Sequence, residues 1–595
     1  MTSSPDVPPA LASMWRLCRL GYSHEPRLLV FALAMSLVAA VPDALLALWL
    51  KFLADGVLDD DRRLVLLAAT GLAVSVTLTW LMRVVASRVT RRFRDKVTIA
   101  LETHVAHLQA SVSTIEHHER RDFLDRLAVL RTQVFVLDHM YMSLFSTCGW
   151  IVRLGLTAAL LMTIHPALAL LLVFAVPTVV TSSWRPGVER AVEERAAEHN
   201  RLAAHLFTTA TTASPGKEVR VAGIGPELVR RRRAAWERWY DAVAGARWRS
   251  AAWHSLAWTV FGLGFVGAVV FVTSGIDGTA GQVLLVLAAG GRLSAYVAAT
   301  MTEIGFLRGI WLDGSRRLAW LEDFAAAQTE RADQPAPDSL RRGIRLEGAS
   351  FAYPGTDHLV LDDVTLDLPA GTVVAIVGEN GAGKSTLVKL LCKLYEPTSG
   401  RVLVDGQPLA AIASDAWRGK VAGAFQDFYR FEFAARTSVG LGDLSVIDDD
   451  EAVRGAVTKA GANDVIERLE SGLDTQLGPT WPDGVEVSFG QWQKLALARG
   501  FMRDGPLLLV LDEPTAALDA ETEHELFSRY AEAARAGANG GITILVSHRF
   551  STVRMADLIV VLQRAEVTQV GSHEELMREV GAYAELFSIQ ARAYQ

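Results

Sequence analysis

Three cysteines in 595 residues, Cys18, Cys148 and Cys392, are too few and too scattered for a disulfide framework, and the absence of any CxxC pair removes zinc-site spacing as well. Cys148 lies in an apolar stretch and Cys392 in an apolar helical pattern, so both read as small core residues. A strong charge of one sign is also missing. The formal net charge of −7 gives no reason to expect nucleic acid as a partner. Residues 1–27 lack the basic segment, apolar core and cleavage site of a signal peptide, so the first apolar span is expected to stay in the protein. There is no internal repeat and no extended low-complexity tract.

What is present is apolar residue content, at 50% of the chain, high for a soluble protein and low for one embedded throughout. The length is too great for a single core. Together these imply a membrane domain joined to a soluble one. Runs long enough to cross a bilayer, which takes about 20 residues, recur at Leu28 to Leu53, Leu64 to Val85, Met142 to Ile164, Ala167 to Trp184, Trp253 to Thr273 and Gly281 to Met301. His165-Pro166 separates the third from the fourth. Three short connections carry no Lys or Arg, whereas the two long ones carry Arg88, Arg91, Arg92, Arg94 and Lys96, and Arg230 to Arg233. The positive-inside bias places the long connections and both termini in the cytoplasm, with the chain in the plasma (inner) membrane. The long connections mix apolar and charged residues and read as helices running into the cytosol, with tips near Ile115 to Leu127 and Ser214 to Gly225.

Gln328 to Arg342, rich in Pro, Asp and Arg, reads as a linker, and from Ile344 short β-like runs alternate with helical ones, an α/β pattern. Within it, Gly378-Glu379-Asn380-Gly381-Ala382-Gly383-Lys384-Ser385 matches G-x-x-x-x-G-K-[ST] between a β run and a helical run. Glycines let backbone N–H groups turn inward around phosphate oxygens, Lys384 brings a point charge, and Ser385 is a ligand for Mg²⁺. The buried-strand pattern Leu507 to Leu511 ends in Asp512-Glu513, suited to a Mg²⁺ shell and to an attacking water. Alone these acids would equally suit a helix cap; beside the phosphate loop they read as catalytic.

At this point the chain resembles the ABC transporters over almost its whole length. Val487-Ser488-Phe489-Gly490-Gln491 is similar to the LSGGQ signature, Ala517-Leu518-Asp519 resembles the D-loop, and Gln426, His548 and Tyr353 stand where that family has its Q-loop glutamine, switch histidine and adenine-stacking aromatic. The resemblance implies an all-α six-helix transmembrane domain followed by an α/β P-loop ABC ATPase domain, of exporter type: 1–27 an N-terminal segment, 28–327 the membrane domain, 328–342 the linker, 343–595 the ATPase. It implies Glu513, His548 and Gln426 as catalytic. It implies Tyr353, Gly378, Asn380, Gly381, Gly383, Lys384, Ser385, Thr386, Ser488, Gly490, Gln491 and Asp519 as ATP-binding, with Ser385, Gln426 and Asp512 around Mg²⁺. Ser488 and Gly490 would face the nucleotide of a second half-transporter, a homodimer being favoured. Glu119 to Leu127 and Lys217 to Val221 would be coupling helices.

Three departures from the family pattern stand out, the first being Val487 in place of the signature's leucine. Phe489 replaces a signature glycine, and Gly478 to Gly484 lacks the usual acidic-and-Arg-Gly stretch. Asp43, Arg153 and Arg292 fall inside spans and need a protein or water-filled surrounding. They line a cavity for anionic or amphipathic cargo, or form an internal ion pair. Trp150, Trp253 and Trp258 contact cargo or anchor at the interface. The function implied is ATP-driven export of a small amphipathic, lipid-like, peptide or secondary-metabolite cargo. Import, for example of a metal chelate, is the alternative on the same scaffold. No peptidase-like segment precedes the first span, so leader cleavage is not expected.

Overall fold

The computed structural model describes the chain apart from residues 1–7, 121–122, 125, 128–129, 131–138, 214, 308–311, 514–538, 548–549, 580 and 594–595. It divides into two compact units, Met1–Gln109 with Arg126–Phe324, and Ala110–Asp125 with Ala325–Gln595.

In the first unit, among the described residues, six helices are long and apolar enough to cross a membrane: Pro26–Leu58, Arg62–Ala110, His139–Met162, Pro166–Arg195, Gly225–Gly275 and Ala280–Phe306. The helix Arg62–Ala110 has 49 residues and Gly225–Val270 has 46. At about 1.5 Å per residue each is roughly 70 Å long, against a hydrocarbon core of about 30 Å. Their polar, arginine-bearing halves therefore extend beyond any bilayer. The first span is broken between Pro26–Val38 and Ala40–Leu58, because Pro42 has no N–H to close onto the Val38 carbonyl. The unit's core gathers Leu161, Leu168, Phe261, Leu285, Val286 and Leu293. The indole N–H of Trp49 in the first span donates to Ser75 Oγ in the second at 2.9 Å, which satisfies the donor that burial would otherwise strand.

The charges inside the spans pair with one another. The Asp43 carboxylate accepts from Arg153 Nε at 3.0 Å, from Arg292 Nη1 at 3.2 Å and from the Tyr296 hydroxyl at 3.0 Å. The internal ion pair is therefore realised, with two arginines on one aspartate. Of the tryptophans, Trp150 lies under Arg153 and Trp258 donates to His254 Nε2, while Trp253 is exposed.

The second unit is built on two sheets. One is antiparallel, in the order β2-β1-β4-β5, from β1 (Gly343–Ala352), β2 (Leu359–Pro369), β4 (Ser399–Val404) and β5 (Gln407–Pro408). The other runs β10-β9-β3-β8-β7-β6, from β3 (Val373–Gly378), β6 (Val421–Ala424), β7 (Leu508–Asp512), β8 (Ile542–Val546), β9 (Leu558–Gln563) and β10 (Glu566–Gly571). Its strands β9-β3-β8-β7-β6 are mutually parallel, and β10 closes it as an antiparallel hairpin. Strand β8 is buried at every position, as a strand covered on both faces must be. One core packs helix Lys384–Leu391 and the antiparallel sheet against it; the other packs Asp450–Lys459 and Phe489–Gly500.

The linker is held down along its length. Gln334 N–H donates to the Ala411 carbonyl, Leu340 N–H to that of Asn539, and the amides of Arg341, Arg342 and Gly343 all converge on the Asp405 carboxylate. Residues 113–119 pack within this unit too. Ile115 N–H donates to the Leu394 carbonyl at 3.2 Å, Lys389 pairs with Glu119 at 3.2 Å, and Arg418 donates to the Ser113 carbonyl.

Candidate active site

The parallel register fixes the site. Ile376 on β3 stands beside Val546 on β8, and Val546 stands beside Asp512 on β7. The phosphate loop after β3 and the two acids after β7 thus leave the same edge of the sheet with one strand between them, about 10 Å apart at the backbone. Gly383 has φ +101°, and a Cβ there would lie 2.6 Å from the Val360 carbonyl oxygen. Gly378, at φ +154°, would put one 2.2 Å from the Leu562 carbonyl oxygen. Any side chain at either position is excluded by backbone.

Around this loop opens a cleft of about 700 Å³ lined by Tyr353, Asn380, Lys384, Ser385, Gln426 and Glu513 among others. Lys384 is buried, its Nζ donating to the carbonyls of Gly378 and Glu379, both at 2.9 Å. Burial pulls its pKa down, opposed by the charges of Glu513 and Asp512. Burial also pushes the Asp512 carboxyl up, as do Glu513 and Asp427, against a hydrogen bond from Ser385 and the charge of Lys384. Asp512 Oδ1 is buried without a hydrogen-bond partner. A crowd of carboxylates with an unsatisfied buried oxygen beside a serine hydroxyl fits a divalent cation. Among the described residues no group of three or more His, Cys, Asp or Glu could hold a metal unaided.

Glu513 adopts φ +46°, rare for a residue with a side chain. Its carboxylate accepts from Gln426 Nε2 at 2.8 Å, and its carbonyl from Gln493 Nε2 at 3.4 Å. Gln493 is a buried residue of the signature helix, and motif reading gave it no role. The only signal for it was a polar residue on the buried face of that helix. Tyr353 donates to or accepts from Thr386 Oγ1 at 3.0 Å, and Lys389 lies 5.2 Å from its ring centre. Val360 and Val546, also in the cleft wall, carry no motif signal.

Ser488, Gly490 and Gln491 do not line this cleft. Ser488 caps the helix Phe489–Gly500, its hydroxyl accepting from Gln491 N–H while its own N–H donates to Gln491 Oε1. The ring of Phe489 lies against Phe428 at 5.5 Å and under Arg430 at 5.6 Å, and is more than half exposed. The segment after Gly478 folds back on Glu432, whose carbonyl accepts from Trp481 Nε1 at 2.7 Å. His548 and Asp519 lie outside the described residues, as does part of Glu119 to Leu127, while Gly216–Val221 is a short helix.

A phosphate-binding loop, a buried strand ending in two acids and a capped helix N-terminus on a mixed sheet define a P-loop nucleotide-binding domain. The ABC transporter family matches residues 361–516. The second unit thus carries an ABC-transporter domain, preceded, among the described residues, by six helices long and apolar enough to cross a membrane. An ATP-dependent lipid A-core flippase of Ralstonia nicotianae is 40% identical over 255 residues, 42% of each chain. A nisin transport ATP-binding protein of Lactococcus lactis is 36% identical over 244 residues, 41% of this chain and 40% of that one. The chain thus spans less than half the length of these relatives. Among solved structures, a bacterial Atm1-family ABC exporter with ATP bound shares the fold at TM-score 0.74 and 24% identity, over 96% of this chain and 99% of that one.

Proposed function

We propose that two copies of this chain form an ATP-driven exporter of a small amphipathic cargo, lipid-like, peptide or secondary metabolite, in the inner membrane, with the ATPase domains and both termini in the cytoplasm. The observation that carries this is the division of the signature from the rest of the site. Lys384, Ser385, Gln426 and Glu513 share one cleft, while Ser488 and the signature helix N-terminus present their cap elsewhere. A helix N-terminus is a place for an anion, and a second copy's nucleotide supplies one.

On this reading the loop amides cradle the phosphates, and Lys384 exchanges the Gly378 and Glu379 carbonyls for phosphate oxygens. Ser385 and Asp512, with Gln426 beside them, would hold Mg²⁺, which would supply charge neutralisation for the phosphates. Glu513, oriented by Gln426, accepts the proton of the attacking water. Tyr353 stacks on the base. Hydrolysis releases the clamp, and the long helical extensions carry that change to the spans. The outward direction is supported by the Atm1-family relative, which is an exporter, alongside the flippase and the nisin transport protein; the importer alternative has no support among them. The test is Glu513→Gln in nanodiscs. It should lower turnover at least a hundredfold while leaving a stable ATP-bound dimer. Hydrolysis at the parent rate would refute the assignment.

A further inference from the structure

The apolar runs 28–53, 64–85, 142–164, 167–184, 253–273 and 281–301 contain a single carboxylate, Asp43, against Lys51, Arg83, Arg153 and Arg292. The structure brings Asp43 together with two of those cations. Arg153 is well covered, 14% exposed, and holds the carboxylate through Nε while its Nη2 reaches the Ala39 carbonyl at the helix break. Arg292 donates to both the carbonyl and the carboxylate of Asp43 through Nη1 alone, and its side chain is 41% exposed. Tyr296 adds a neutral hydroxyl. The cluster therefore carries one more positive charge than negative. Trp150 supplies an apolar wall beside it, its ring 4.7 Å from the Arg153 guanidinium carbon and 5.8 Å from the Tyr296 ring.

An uncompensated guanidinium within a span is costly against lipid and needs water or an anion. Within these runs a second copy of the chain brings only its own Asp43, already shared by two arginines, and so no further anion. We infer that Arg292, backed by Asp43, Arg153 and Trp150, forms a site for the anionic group, carboxylate or phosphate, of an amphipathic cargo. Asp43 fixes the two arginines and leaves one face of Arg292 for the cargo. The apolar part of the cargo lies toward Trp150. This deepens the export reading and rests on it.

The test uses the purified full chain in nanodiscs of neutral lipid without nucleotide. The probes are brominated amphiphiles of one chain length bearing a carboxylate, a phosphate, a hydroxyl or a trimethylammonium group. Quenching assigned to Trp150 is taken as the difference from Trp150→Phe. The anionic probes should bind roughly tenfold or more tightly than the neutral one, as expected for a charged hydrogen bond, and added salt should erode only that difference. Arg292→Gln should abolish the preference and Arg292→Lys should keep part of it. Asp43→Asn, which frees both arginines, should strengthen anion binding, whereas a purely structural clamp predicts weaker binding of every probe. The carboxylate and phosphate arms separate fatty-acid-like from phosphorylated cargo. Equal quenching by anionic and neutral probes in the parent protein, or a salt-independent preference, overturns the inference whether or not the variants fold. Such a result with ATPase activity intact removes this site alone. Loss of nucleotide-driven dimer closure would instead remove the export reading.

Discussion

Glu513 holds an uncommon backbone conformation, and its two glutamine neighbours grip it from different elements: Gln426 its carboxylate, Gln493 its carbonyl. Strain of this kind costs of order 1–3 kcal/mol and persists only where the surroundings impose it. Gln493→Ala should therefore lower kcat about tenfold with little change in the KM for ATP, because positioning is lost but binding is not. Steady-state ATPase assays decide this, and a rise in KM at constant kcat would count against it. Gly383→Ala should abolish nucleotide binding outright, since its methyl group would collide with the Val360 carbonyl; equilibrium binding of a fluorescent ATP analogue measures it. Lys384 and Ser385 were read from motif spacing and Asp512 from the buried strand that ends in it, while Gln426 came only from the family resemblance. Gln493 was not legible, since a buried amide on a helix has no signature until its partner is seen.

Helices were legible in kind, and the long ones in extent as well, but not in their breaks. Apolar windows located the fifth span at Trp253 to Thr273, and the mixed apolar and charged pattern before it, with a tip near Ser214 to Gly225, agrees with a helix that begins at Gly225. A window in hydropathy sees only the part that meets lipid, while the polar continuation is helical by propensity and packing. The break in the first span was hidden for the same reason. The apolar run continues unbroken through Pro42, whose missing N–H matters only to the backbone ladder. In the segment 110–125, His117 is buried against Phe123 and His118. Burial first, and then His118, hold its pKa down at about 4, against a hydrogen bond with the Thr114 backbone. The folded pKa lies below the unfolded value of about 6.5, so the unfolded chain binds the proton first. The contribution is full above pH 6.5 and is lost as pH falls toward 4. The thermal midpoint of the parent should drop between pH 7 and 5 by more than that of His117→Phe; parallel curves would show that His117 does not titrate as described.

At the scale of the whole molecule, a shared site makes a prediction that a self-contained one does not. Co-assembling a Lys384→Ala chain with a Ser488→Ala chain leaves one nucleotide site with both defects and one with neither. Such mixed dimers should trap about one nucleotide with vanadate, whereas each variant paired with itself should trap none. Trapping absent from the mixture would mean that Lys384 and Ser488 do not serve the same nucleotide. The backbone itself also passes from the first unit into the second at residue 110, returns at 126 and enters again at 325. Recombinant excision of the soluble portion at 325 or 343 would therefore leave behind a strip of its own surface. The severed fragment would keep Lys389, Arg418 and the Leu394 carbonyl but lack Glu119, Ser113 and Ile115 to meet them. A synthetic peptide of residues 110–125 should then rebind to it, an intramolecular contact recovered as a bimolecular one.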